Sequence, residues 1–264
     1  MSEIFVNQEQ SEYGVPIYEV GVQTPQFGYF VKNPIQGGSI TRPNGRQLIL
    51  PQVDVLHVVG PELPDTPEAS EFRVGFTGGR NISDKGKRSA YVVGQRMKEF
   101  GISIVNGMAE GFDTEILKGF RNTQTAQNSR IFGIAGMPIN EFYPPANKDL
   151  IKAIAQEGYV VSMNIHGKNK SVVTKENPFI DRNSLILAMS DCLIVGEGGV
   201  SGGTHKTLDT AIALGKPVGM LVLDEYLEDS NSLYSYVVNN NLEDRVVLLK
   251  NREDIENWII SLKL

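Results

Sequence analysis

With 264 residues, 41% of them hydrophobic and 21% charged, the chain has the composition of a globular protein with enough apolar material for a substantial core. A formal net charge of -6 disfavours diffuse attraction to a nucleic-acid backbone and suits a small anion held in one local pocket. The single cysteine, Cys192, excludes an internal disulfide, the histidines His57, His166 and His205 give no metal-ligand spacing, and no apolar run reaches the ~20 residues of a membrane helix.

Residues 1–70 read as a β-rich segment. Short runs at Ile17 to Val22, Phe27 to Val31, Gln47 to Leu50 and Val53 to Val59 are separated by turn residues, among them Pro43-Asn44-Gly45. The proline-rich stretch Pro61 to Ala69 reads as a linker. From residue 71 to residue 264 the rhythm becomes strand, turn, helix. Strands are predicted at Arg73 to Thr77, Ser103 to Asn106, Ile131 to Ala135, Val160 to Asn164, Cys192 to Val195 and Pro217 to Leu221. Helices are predicted between them at Asp84 to Phe100, Asp113 to Arg121, Asn147 to Gln156, Arg182 to Met189 and Thr204 to Leu214. A tail of Ser232 to Asn239, Arg245 to Leu249 and Arg252 to Leu262 adds helix, strand and helix as a C-terminal cap. This alternation predicts an α/β protein: a Rossmann-like, doubly wound, mostly parallel sheet carrying the small β-rich N-terminal segment.

In such sheets, ligands bind beyond the carboxyl ends of the strands, where helix N-termini offer unpaired N–H groups to an anion and glycine lets the backbone approach. Three glycine turns fall at such ends: Gly78-Gly79-Arg80, then Gly107 with Gly111, then Gly198-Gly199-Val200-Ser201-Gly202-Gly203-Thr204. The third joins a strand to a helix in the manner of a phosphate-binding nest, to which Ser201 and Thr204 add hydroxyl groups.

The order of motifs over about Phe72 to Leu221 resembles the DNA-processing protein A (DprA/Smf) family, within a superfamily that includes phosphoribohydrolases and nucleotide-sensing domains. Thr77-Gly78-Gly79-Arg80 resembles the family's V-G-S-R, and Val105 to Asp113 its V-S-G-L-A-x-G-I-D. Phe142 to Leu150 is similar to Y-P-x-x-N-x-x-L, and Phe179 to Asp191 to F-P-R-R-N-R-I-I-A-G-L-S-D. The resemblance implies a Rossmann domain, self-association and a path for single-stranded DNA. Several features depart from it. Of the family's three arginines only Arg182 remains, with Asp181 and Ser184 at the other two places, and the β-rich segment stands where the family has a helical module. No counterpart of the family's C-terminal winged-helix segment is expected. The phosphoribohydrolases' catalytic glutamate is also missing, since His205-Lys206-Thr207 follows Gly203-Thr204.

Candidate ligand-binding residues are therefore Gly78, Gly79, Arg80, Asn106, Gly107, Gly111, Asp113, Arg182, Asn183, Glu197, Gly198, Gly199, Ser201, Gly202, Gly203 and Thr204. Arg80 and Arg182 suit phosphate or ribose, or else surface ion pairs. Asp113 suits a ribose hydroxyl or the cap of its own helix, and Glu197 a base edge or solvent. Cys192 reads as a buried structural thiol. No catalytic residue, metal or resident cofactor is assigned. The expected role is non-catalytic sensing or sequestering of a nucleotide-derived small molecule by a cytoplasmic homo-oligomer without a membrane segment. Single-stranded DNA binding is the alternative, followed by N-glycosidic hydrolysis and, more remotely, molybdenum-cofactor carriage.

Overall fold

The computed structural model describes residues 5–7, 12–33, 36–64, 71–125, 128–163, 178–224 and 229–263. The linker beyond residue 64, the expected strand end at Asn164 and His166 lie outside them. The chain opens with strands β1 (Phe5–Asn7) and β2 (Ile17–Gly21), helix α1 (Pro25–Phe30), the hairpin β3 (Gln36–Thr41) and β4 (Gln47–Gln52), and strand β5 (Val55–Val59). The run from Phe27 read as extended is thus helical. Pro25 opens that helix, where its missing N–H is no loss, and the Thr24 hydroxyl bonds back to the Gly21 carbonyl at 2.8 Å.

The alternating part follows as β6 (Arg73–Thr77), α2 (Asp84–Glu99), β7 (Ser103–Asn106), α3 (Phe112–Arg121), β8 (Ile131–Ala135), α4 (Lys148–Glu157), β9 (Tyr159–Ser162) and α5 (Pro178–Met189). Then come β10 (Cys192–Val195), α6 (Gly203–Ala213), β11 (Val218–Leu221), α7 (Leu233–Asn239), β12 (Val247–Leu249) and α8 (Arg252–Lys263).

The main sheet runs β1-β2-β5-β9-β8-β7-β6-β10-β11-β12. From β9 to β12 every pairing is parallel, while β5, β2 and β1 join antiparallel, so the N-terminal strands extend the Rossmann sheet. All residues of β6, β7, β10 and β11 are buried, because helices cover both faces; this is why β10 and β11 are continuous apolar runs without alternation, while β6 and β7 keep polar residues only at their ends.

Helix α5 is buried around most of its circumference, Asp181, Arg182 and Ser184 included. One side meets the sheet, while β4 of the hairpin packs on α5 and β3 on α6. The N-terminal segment is tied in further by Tyr29 and Phe30, whose rings meet Phe132 and Tyr159. Burying each such ring contributes roughly 1.5–3 kcal/mol. Arg73 lies between the rings of Tyr29 and Phe132, 4.7 and 4.0 Å from their centroids, and donates to the Phe30 carbonyl. Cys192 is fully buried, and burial pushes its thiol pKa up to about 12, as suits a packing role.

Candidate functional site

Strands β6 and β10 are neighbours, yet the chain proceeds from them in opposite directions, through β7 on one side and β11 on the other. Their register partners Thr77 and Val195 therefore mark the topological switch point, where a crevice opens at the carboxyl edge. The glycine turns meet there and bond to one another: Gly79 N–H donates to the Glu197 carbonyl at 2.6 Å, Gly196 N–H to Thr77 at 2.9 Å, and Phe112 N–H to Gly79 at 3.0 Å. Gly111 adopts φ of +79° and faces the carbonyls of Gly79 and Arg80, with no room for a β-carbon. The Phe112 ring similarly fills the space beside Gly78 and Gly196.

The crevice is a cavity of about 910 Å³. It is lined by Gly78, Gly79, Arg80, Asp113, Arg182, Asn183, Glu197, Gly198, Gly199, Ser201, Gly202, Gly203 and Thr204 among the predicted residues. Gly107 lines an adjoining cavity of about 210 Å³, which shares Arg80 and Arg182 with the first. Asn106 and Gly111 line neither. Asn106 is fully buried and ties the second glycine turn by accepting from Met108 N–H at 2.7 Å. Helix α6 opens on the cavity without any side-chain cap, so its first N–H groups supply the partial positive charge that attracts anions.

Several candidate side chains are engaged by the protein itself. The Arg182 guanidinium is buried and donates from Nη1 to the carbonyls of Gly107 and Ile134 and from Nε to Asn183 Oδ1 at 3.0 Å. Its Nη2 makes no hydrogen bond among the described residues, and Arg182 is one of the residues that line both cavities. Asn183 in turn donates to Thr207 Oγ1 at 2.7 Å. Both Glu197 carboxylate oxygens accept from Ser83, the residue that caps α2 through Gly86 N–H.

Asp113 is 5% exposed. Its Oδ2 accepts from Ala109 N–H at 3.3 Å, and its Oδ1 has no hydrogen-bond partner among the described residues. Burial lifts its carboxyl pKa to about 6, opposed by the positive charge of Arg182, by backbone hydrogen bonds from Ala109 and Gly107, and by Arg80. The same burial lowers the proton affinity of Arg182.

Sequence reasoning missed part of the wall. Lys85 and Arg88 reach the cavity from the first turns of α2, a placement that helical spacing after Gly79 would have suggested. Asn231 and Ser232 close the far side: Gly199 pairs with Ser232 in an antiparallel bridge, and Val200 N–H donates to Asn231 at 3.2 Å. No local signal reveals this pairing. Tyr143 and Phe179 have ring centroids 5.0 Å apart, and the Arg80 guanidinium lies 6.0 Å from each. His205 and Lys206 line neither cavity; His205 stands edge-on to Tyr236 at 4.2 Å. Among the described residues no group of three or more His, Cys, Asp or Glu side chains is placed to hold a metal, and no helix is long and apolar enough to cross a membrane.

Residues 62–256, well over half of the chain, match the model of DNA recombination-mediator protein A. The chain belongs to this family. Relatives include Smf from Synechocystis, 26% identical over 68% of the chain and 42% of that protein, and Smf from Borreliella burgdorferi, 22% identical over 78% and 68%. The chain thus spans under half the length of the Synechocystis relative. Among solved structures, DNA processing protein A from Helicobacter pylori, which binds single-stranded DNA, superimposes with a TM-score of 0.61 at 20% identity over 79% of the chain and 86% of that one. The Streptococcus pneumoniae protein gives 0.62 at 22% identity over 77% and 66%. A molybdenum cofactor binding protein from Rippkaea orientalis gives 0.52 at 17% over 75% and 100%. At these identities the likenesses establish the Rossmann-type fold.

Proposed function

We propose that the switch-point cavity binds a phosphate-bearing nucleotide unit without transforming it, in a cytoplasmic, self-associating protein that senses or sequesters its ligand. One observation carries this reading: three glycine turns and the uncapped start of α6 meet around a cavity of about 910 Å³ whose wall holds Arg80, Lys85 and Arg88. The glycine loop takes phosphate, while Arg80 with the paired rings of Tyr143 and Phe179 offers the neighbouring cavity a surface on which a base can stack. A non-catalytic role is supported at Glu197, whose carboxylate is held by Ser83 and so is not free to attack or protonate a glycosidic bond.

The second reading is that the same unit is one residue of a single-stranded DNA. Family membership and the partly exposed Tyr143 ring favour it. Asp181 and Ser184 lie inside α5, so arginines missing from these places take no exposed cation from this chain's surface, and their absence weighs little against DNA.

A thermal-unfolding panel separates the readings. Nucleoside mono-, di- and triphosphates, dinucleotides and oligo-dT are each added to the purified protein; at ~100 times Kd, a ligand stabilises by about 2.7 kcal/mol. A shift with small nucleotides alone supports the first reading, and a shift with oligo-dT alone the second. No shift with any of them refutes both.

A further inference from the structure

The β3–β4 hairpin lies outside the residues that match the family, and its only charged side chains are Arg42 and Arg46 at the tip. That tip is rigidly built. Gly45 N–H donates to the Arg42 carbonyl at 2.9 Å, Arg42 N–H to the Arg46 carbonyl at 3.0 Å, and Arg46 N–H to Asn44 Oδ1 at 3.0 Å. Asn44 Nδ2 then fastens the tip to α6 by donating to Asp209 Oδ2 at 3.1 Å. The hairpin thereby holds two arginines beside the first turn of α6, where Lys206 adds a third cation.

Among the described residues, none of the side chains of Arg42, Arg46 and Lys206 makes an ion pair or a hydrogen bond, and Arg42 Nε is buried without an acceptor. His205 senses their combined field: burial is the chief cause that lowers its pKa, and Arg42, Lys206 and Arg46 each lower it further against the attraction of Asp209. The Asp209 carboxylate is fully buried and already accepts from Tyr236 Oη at 2.6 Å as well as from Asn44, so it offsets one of the three charges at most. In a chain of net charge -6, cations held together without counter-ions mark a place for an anion. Lys206 follows two residues after Thr204, about 3 Å further along the axis of α6.

We propose that Arg42, Arg46 and Lys206 form a second phosphate site on the flank of α6, occupied by the phosphate next along the ligand from the one in the glycine nest. The ligand class is accordingly one with consecutive phosphates, as in a dinucleotide or a short single strand. This rests on the nucleotide reading of the main cavity and narrows it.

The test compares binding of dTMP, the dinucleotide pdTpdT and a six-residue oligo-dT to wild type, R42Q/R46Q and K206Q, over a series of salt concentrations. The glutamines keep length and polarity, and R42K/R46K serves as a rescue that keeps charge. Wild type is expected to prefer the longer ligands over dTMP, R42Q/R46Q to lose about tenfold of that preference, and R42K/R46K to recover most of it. On the oligonucleotide, the salt slope is expected to fall by about 0.7 for each phosphate that is no longer neutralised. An equal loss for the dinucleotide and the oligonucleotide assigns the site to the second phosphate of a small molecule; a loss confined to the oligonucleotide assigns it to a strand. If the glutamine variants keep the wild-type preference and slope, the second site is overturned while the nucleotide reading stands. If wild type binds none of the three, both fall.

Discussion

The guanidinium of Arg182 donates to the backbone carbonyl of Gly107, 75 positions earlier in the chain, and so braces the second glycine turn against α5. The same group serves Ile134 and Asn183, at the ends of β8 and within α5. Replacing it by methionine keeps the bulk but leaves two buried carbonyls unpaired. R182M is expected to lose about 3 kcal/mol of stability, read as a lower urea midpoint. An unchanged midpoint would assign the residue to the ligand alone.

Arg80 is the converse case, an exposed guanidinium on the wall of both cavities with aromatic faces as its only described contacts. R80A is expected to weaken nucleotide binding about tenfold, equivalent to about 1.4 kcal/mol, while shifting stability by less than about 0.5 kcal/mol. Isothermal titration alongside a melting curve checks both halves.

Asp113 gives the fold a pH signature. Its pKa rises from 3.8 in the unfolded chain to about 6 in the folded one, so between these values the folded protein binds the extra proton. The contribution to stability is full below about pH 4 and is lost as pH rises through 6, a change of about 3 kcal/mol. D113N is expected to remove that slope. Urea midpoints of the two proteins at intervals from about pH 4.5 to 7.5 should therefore diverge up to about pH 6.5 and run parallel above it; curves parallel throughout would reject the assignment.

At Gly111 the left-handed backbone and the facing carbonyls of Gly79 and Arg80 both oppose a side chain. G111A is expected to cost about 1–3 kcal/mol and to weaken nucleotide binding with it, because the first and second glycine turns move apart. Retained affinity in a destabilised variant would show the turns to be independent.

Legibility in the sequence followed the range of the forces involved. Strand Cys192–Val195 was readable to the residue because full burial on both faces writes an apolar run bounded by turns, and Arg73–Thr77 because a short apolar centre ends on a glycine turn. The first two glycine turns were readable because only glycine suits the close approaches at Gly78, Gly107 and Gly111, and the third because four glycines fall within six residues between a strand and a helix. Helix α1 was not, since Tyr29 and Phe30 look like strand residues and only Pro25 hints otherwise. Arg182 was recognisable as a site residue, but its backbone acceptors Gly107 and Ile134 come from distant stretches of chain and leave no local trace. The wall at Asn231 and Ser232 was hidden for the same reason, and the antiparallel extension of the sheet through β5 is a pairing between segments about a hundred residues apart.

The aromatic and ionic stitching around Arg73 has a practical consequence for anyone dissecting the gene. A fragment beginning at Phe72 would retain every glycine turn, yet it would leave Phe132 and Tyr159 without the rings that cover them and the Arg73 guanidinium without Tyr29 or the Phe30 carbonyl. The boundary suggested by the prolines is therefore a poor place to cut: the span that carries the recognisable motifs is shorter than the stretch whose side chains complete its packing.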